Sequence, residues 1–260
     1  MNEDAAWARL EAELDAWRAE GRAATLWWRD DDAGAASPAL LRLLALAKTH
    51  RVPLALATVP AWATAELAAA ATDEFISVVQ HGYAHANYAP EGQKKFELGP
   101  ERPAAIVVAE LAQGWQRLEQ LFGARFWPAL VPPWNRMAGY LPPYLAELRY
   151  RGLSQFGPRA RREPVRGLVQ VNTHVDIVHW KSAPPRFAGA AKLIGEFAEH
   201  LAARRTRAVD AAEPTGLLTH HAAHDAACWQ FLEGLFARLA RHAAVRWLPA
   251  ARVFADAPAP

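Results

Sequence analysis

The chain has 260 residues, 52% of them hydrophobic, with 11 tryptophans and a formal net charge of +2 from 29 basic and 27 acidic residues. That length suits one α/β barrel-sized domain, the composition excludes a disordered chain, and the balanced charge offers no general field for nucleic acid or an anionic membrane. The one cysteine, Cys228, excludes an internal disulfide and a cysteine-based zinc cluster, which leaves histidines and carboxylates as the metal ligands available.

At the start of the chain, residues about 4–20 carry Trp7, Leu10, Leu14 and Trp17 at helical spacings, which predicts an amphipathic helix. The stretch lacks the basic start and apolar run of a secretory leader, and no later run reaches the length of a membrane span, so a cytoplasmic location without membrane contact is expected. Ala24 to Arg29 reads as a first strand that delivers Asp30, Asp31 and Asp32 to its C-terminal mouth. Adjacent acids repel one another and lose hydration on burial, so a divalent cation is the simplest resolution. An Asp-rich turn or helix cap ahead of Ser37-Pro38 is the competing reading.

Helices are expected from Pro38 to about Thr49, Thr64 to Ala71, Ala104 to Phe122, Leu141 to Arg149, Phe187 to Ala203 and Asp225 to Arg241. Strands are expected over Val52 to Val59, Phe75 to Val79, Phe126 to Val131, near Leu153, Gly167 to His174, Gly216 to Thr219 and Val245 to Leu248. Tyr88 to Pro103 is polar and punctuated by Gly and Pro, the pattern of a surface loop near the site. Arg159 to Arg166 reads as a basic loop, either solvated or facing an anionic substrate or partner, and the tail over about 255–260 is expected to fray.

Strand and helix alternate for most of the length, without a linker or internal repeat, which predicts one α/β domain with a parallel sheet or barrel over residues 1–260. Five strand ends carry the polar residues: Asp30 to Asp32, His81 with His85, Pro133-Trp134, Asp176 with His179, and His220-His221. In a barrel of parallel strands these ends open on one face. His81 and His85 are four apart, so a helical turn would aim both imidazoles at one ion, and one added carboxylate leaves coordination positions open.

These motifs, in this order, resemble those of the polysaccharide deacetylases of carbohydrate esterase family 4, over about Leu26 to Leu248. The resemblance implies an incomplete (β/α) barrel and a metal-dependent hydrolase that removes an N- or O-linked acetyl group from a saccharide or other small molecule. It implies Asp32, His81 and His85 as metal ligands, Asp31 as the general base and His220 as the general acid. Trp134, Arg136 and Trp180 are the expected substrate contacts. Zinc is the favoured ion for two histidines and one carboxylate, although iron, cobalt and nickel suit similar donors. Other uses of the scaffold are non-catalytic carbohydrate binding and hydrolysis of a non-sugar amide.

The departures from the family pattern are specific. The arginine that orients the catalytic aspartate is replaced by Val131, with Arg136 or Arg29 as substitutes, and the usual Ser or Thr after the first histidine is Gly82. His179 stands where a second Asp is common, so the partner of the acid histidine is open between it and Asp176. His221 is the alternative acid, but strand alternation lets one of the pair face the site, and His220 shares a face with Leu218. Asp30 is either a supporting acid or, with the register shifted by one, the base.

Overall fold

The computed structural model describes residues 2–255. The expected frayed tail therefore falls, apart from Ala255, outside the described residues. Apolar side chains on both faces of Ala24–Ala33 make it a fully covered strand, β1, and the sheet grows outward from it in both directions. On one side follow β2 (Leu54–Thr58), β3 (Ile76–His81), β4 (Phe126–Val131), β5 (Gly152–Leu153) and β6 (Val169–Gln170). On the other lie β10 (Thr215–Thr219) and then β7 (Val175–Asp176), while β11 (Val245–Trp247) pairs with the first residues of β1. Every pairing in this sheet is parallel. Among the described residues, β6 and β7 do not pair with each other, so the (β/α) barrel stays open. A separate two-stranded ribbon joins β8 (Val178–His179) to β9 (Arg186–Phe187).

Among the described residues, eight α-helices cover the sheet: α1 (Glu3–Ala19), α2 (Pro38–His50), α3 (Ala65–Ala70), α4 (Ala104–Phe122), α5 (Leu141–Glu147), α6 (Ala190–Arg205), α7 (Ala226–Leu239) and the short α8 (Ala250–Val253). Side-chain caps fix several starts: Asn2 accepts from Ala5 N at 2.9 Å, Ser37 from Leu40 N at 3.2 Å and Asp225 from Cys228 N at 2.9 Å. The N-terminal helix expected from Trp7, Leu10, Leu14 and Trp17 forms, and its apolar stripe is buried against α6, where Trp17 Nε1 donates to Leu201 O at 3.3 Å. No described helix is long and apolar enough to cross a membrane.

Strand alternation splits the core into two layers. Leu26 and Trp28 face outward into the helical layer, whereas Trp27 joins Ala55, Ala57, Val79, Ala129, Val131 and Val171 inside the barrel. Phe254, just past α8, closes the N-terminal end of that interior with its ring edge-on to Trp27, the centroids 5.7 Å apart. The opposite end, where the strands finish, receives the polar residues.

The differences from the expected elements are local. β1 runs on through the acids instead of stopping at Arg29. Of the strand expected over Gly167 to His174 only Val169–Gln170 forms a ladder; Thr173 makes an isolated parallel bridge to Phe156, and side chains meet the backbone N–H groups of Gln155 and Asn172. The Arg159 to Arg166 loop is tied down at two points. Arg159 turns inward to Asp210 and to Gln170 O at 2.6 Å, and Arg162 reaches Ala255 O at 3.1 Å.

Candidate active site

Three successive acids on β1 diverge because the strand carries a bulge. Arg29 and Asp30 pair with Ala55 and Leu56 of β2, but the next bonded pair is Ala33 with Thr58, so one extra residue is inserted, and Asp32 adopts a left-handed φ of 70°. Asp30 follows Trp28 to the outer face. Asp31 shares the inner face with Arg29, and the bulge turns Asp32 toward the same cleft.

Asp30 is fully buried and is committed to structure. Its carboxylate accepts from Thr219 Oγ1 at 2.6 Å and from the backbone N–H of His221 at 3.0 Å, and it pairs with His221 Nδ1 at 2.5 Å. Burial, which would raise its pKa, is outweighed by His221, and the carboxyl is held below its ordinary value. The same contact raises His221 above the usual histidine range against the opposing effect of burial. Asp30 and His221 are thus buried and paired with each other, and neither lines the cleft.

Asp31 is gripped by Arg29. Nε donates to Oδ1 at 2.8 Å and NH2 to Oδ2 at 2.9 Å, and the remaining donors go to Ser154 Oγ, Gln155 O and Asn135 Oδ1 at 2.6, 3.2 and 2.7 Å. All five N–H groups of a fully buried guanidinium are used. The orienting arginine that is missing at Val131 thus comes from β1, two residues before the acid it holds, while Val131 packs in the barrel interior. Arg136 does not take this role: it lines the cleft and donates to Lys95 O at 3.2 Å.

Asp32, His81 and His85 converge. Both histidines place Nε2 at 3.1 Å from Asp32 Oδ1, so one ligand atom from each lies within 4.8 Å of the others. The helical turn expected for His81 and His85 is absent: His81 ends β3, and His85 sits in a loop with a φ of 54°. A tight turn brings the rings to a centroid separation of 5.1 Å, and His85 also lies against Trp134 at 4.4 Å and Trp62 at 5.5 Å.

Tautomers test whether a cation fits. His81 Nδ1 lies 2.9 Å from Val131 O, and a carbonyl only accepts, so Nδ1 carries a proton. A neutral His81 then presents a bare Nε2 lone pair to a carboxylate oxygen at 3.1 Å, a repulsive contact unless a proton or a metal ion lies between them. Burial lowers the His81 pKa, but the charges of Asp31 and Asp32 outweigh it and raise the net value. Asp32 is held well below the ordinary carboxylate range by hydrogen bonds from His81 and His85, which exceed the opposing effect of burial. The donor set suits a divalent ion.

A second triad, His174, His200 and Glu213, fails the same test. Gly216 N–H donates to His174 Nδ1 at 2.9 Å, which puts the ring proton on Nε2, the nitrogen that faces Glu213 at 3.5 Å. That nitrogen has no lone pair to offer a metal.

Around Asp32, His81 and His85 the cleft encloses about 620 Å³ and is also lined by Asp31, Lys95, Trp134, Asn135, Arg136, Phe156, Asp176, Trp180 and His220. His220 Nε2 lies 3.9 Å from Asp31 Oδ2. Its ring meets the exposed Trp180 edge-on at 4.6 Å, and Trp180 Nε1 donates to Asp176 Oδ2 at 2.8 Å. Asp176, whose pKa burial raises, thus supports His220 through the indole. His179 points outward to Ser182 Oγ at 2.6 Å and takes no part in the cleft.

Sequence reasoning missed Asn135, Phe156, Lys95 and Glu97. The last two belong to the segment read as a surface loop. Lys95 is exposed, with Nζ 5.8 Å from the Trp134 ring, but Glu97 and Leu98 are fully buried. A carboxylate between two apolar-flanked residues, Phe96 and Leu98, is the signal that the segment folds inward.

No protein-family profile matches the chain, and no curated protein matches it in sequence. Solved structures do match. One assigned as a polysaccharide deacetylase from Mycobacterium smegmatis is 17% identical with a TM-score of 0.60, over 89% of each chain. A peptidoglycan N-acetylglucosamine deacetylase is 14% identical with a TM-score of 0.55, over 92% of this chain and 95% of that one. A mutant of a family 4 carbohydrate esterase pseudoenzyme with restored activity is 14% identical with a TM-score of 0.51, over 90% of this chain and 68% of that one. The fold is the incomplete (β/α) barrel of polysaccharide deacetylases, as the motifs lead one to expect.

Proposed function

We propose that this chain is a metal-dependent hydrolase that removes an N- or O-linked acetyl group from a saccharide, with Asp32, His81 and His85 as ligands, Asp31 as base and His220 as acid. The observation that carries the reading is the convergence of His81 Nε2 and His85 Nε2 on Asp32 Oδ1, each at 3.1 Å, beside a second carboxylate that a buried arginine holds in place. A divalent ion bound there supplies Lewis acidity, polarising the acyl carbonyl and making an attacking water more acidic. Asp31 has one lone pair on each oxygen committed to Arg29, which fixes its plane and leaves the cleft side of the carboxylate to take a proton from water. His220, on the same side of the cleft, returns a proton to the departing amine or alcohol, and Trp180 with Asp176 holds its ring. Zinc is the favoured ion on the chemistry of the donors.

Exposed Phe156 and Trp180, with half-buried Trp134, give the cleft flat apolar faces suited to the C–H faces of sugar rings. A non-catalytic binding role on the same scaffold draws its support from Val131, and a pseudoenzyme exists among the structural neighbours. Arg29 weighs against it, since the guanidinium absent from β4 is restored to Asp31 by β1. The test is acetate release from N-acetylglucosamine oligomers and O-acetylated oligosaccharides, with zinc and with a chelator. Release that the chelator abolishes and zinc restores is expected. No release from any of them with zinc bound would leave the binding role as the better reading.

A further inference from the structure

The turn Gly82–Ala84 between the two histidines carries no serine or threonine, and most of its backbone polar groups are met from outside. Gly82 N donates to Val131 O at 3.1 Å and Gly82 O accepts from Gln80 Nε2 at 2.9 Å. Tyr83 O accepts from Ala61 N at 2.9 Å. Two adjacent amides remain, and one side chain takes both. Glu97 accepts from Tyr83 N at 3.2 Å on each oxygen and from Ala84 N at 2.7 Å on Oε1. Glu97 is fully buried, and it reaches the turn from the segment that leads into α4.

Gly82 is fitted to this arrangement. Its φ is +55°, and a Cβ there would lie 2.0 Å from Glu97 Oε2 and 2.6 Å from Pro133 Cγ. The serine or threonine that the family resemblance expects at this position has no room. A buried carboxylate with no cationic partner is costly, and here it persists because two backbone N–H groups are aimed at it. Those groups belong to the two residues immediately before His85, so the carboxylate fixes the left-handed step that turns His85 back toward Asp32.

We propose that Glu97 is a positioning residue for the metal centre: it builds the His81–His85 turn from a distant segment and makes the chain over residues 88–103 part of the ion-binding unit. The inference rests on the metal reading above. Ion binding and order in the 88–103 segment are then thermodynamically linked, each strengthening the other by the same factor.

The test uses the full chain, stripped of metal and titrated with zinc ion alone against a chromophoric chelator. Glu97→Ala is expected to weaken zinc binding by about 10–100-fold, the range for residues that support ligands without touching the ion. Acetate release by the variant is expected to fall in step with its zinc occupancy and to rise again as zinc is added. By hydrogen exchange, the Tyr83 and Ala84 amides are expected to lose protection while those of β3 and β4 keep theirs. Should Glu97→Ala fail to fold, Glu97→Gln preserves the volume and one acceptor, and a weaker zinc affinity with faster Ala84 exchange is expected. Unchanged zinc affinity in a folded variant overturns the inference and leaves the metal reading standing. Absence of zinc binding by the unsubstituted chain overturns both.

Discussion

Asp30, Asp31 and Asp32 are chemically identical and adjacent, yet each meets a different partner: a buried imidazole, a buried guanidinium and a pair of imidazoles facing a cleft. Strand alternation separates the first two, and one bulged residue with a left-handed φ returns the third to the side of the second. The residue pattern announces the cluster, and only the family resemblance suggests a division, because a bulge leaves no mark in hydrophobic periodicity. The Arg29–Asp31 pair is the residue-scale commitment most exposed to test. Arg29→Lys keeps the charge but not the five-donor fork, leaving Ser154 or Asn135 unpaired and Asp31 free to rotate. Turnover is expected to fall by about 10²-fold or more at full zinc occupancy, since orientation errors near an ångström cost that much. The apparent stability in urea is expected to drop by about 3 kcal/mol, the lower range for disrupting a buried ion pair. Zinc content, acetate release and urea midpoint together check this, and wild-type turnover would return the orienting role to another residue.

At the scale of elements, order and type of the long helices and central strands are legible because apolar periodicity is strong there, and Ala104–Phe122 and Phe126–Val131 fall where expected. The site geometry is legible only in part. His81 and His85 do share an ion-sized space, but a strand end and a turn bring them together in place of the helix that the i, i+4 spacing suggests. Apart from the apolar neighbours Phe96 and Leu98, nothing in this polar segment marks the role of Glu97, since its partners are backbone amides 13 and 14 residues away. Of the short strands, β5 and β6 fall within segments expected to be strand, near Leu153 and in Gly167 to His174, whereas β7 to β9 escape because two residues each leave no periodicity to read. The layered core also implies that the two barrel ends are separable. Phe254→Ala empties the closed end beside Trp27 and is expected to destabilise by about 3–5 kcal/mol. Its zinc affinity is expected to be unchanged, because the ligands sit at the opposite ends of the strands; urea unfolding beside zinc titration reads both, and a parallel loss of zinc affinity would show the ends to be coupled.

For the whole molecule, buried histidines make stability depend on pH in a definite direction. Burial pushes His200 down to about 2 and His224 down to about 4, with neighbouring His174 acting in the same sense on His200. In the unfolded chain each titrates near 6.5. Both bind a proton more readily when unfolded, so their contribution is intact above about pH 6.5 and is lost as the pH falls toward the folded values, by about 1.4 kcal/mol per pH unit per group. Between pH 7 and pH 5 the zinc-free protein with His200→Gln is expected to lose less urea stability than the unsubstituted chain. An identical pH slope in the two would show that His200 takes up a proton without unfolding.

The central claim is that neighbouring carboxylates have divided labour, Asp32 holding the ion and Asp31 moving the proton. Zinc content and acetate release measured side by side on Asp31→Asn and Asp32→Asn test it directly. Asp31→Asn is expected to keep its zinc and lose about 10²–10⁴-fold in turnover, the range for removing a general base, whereas Asp32→Asn is expected to lose the zinc itself. Turnover close to that of the unsubstituted chain in the first variant, or full zinc retention in the second, would contradict the account.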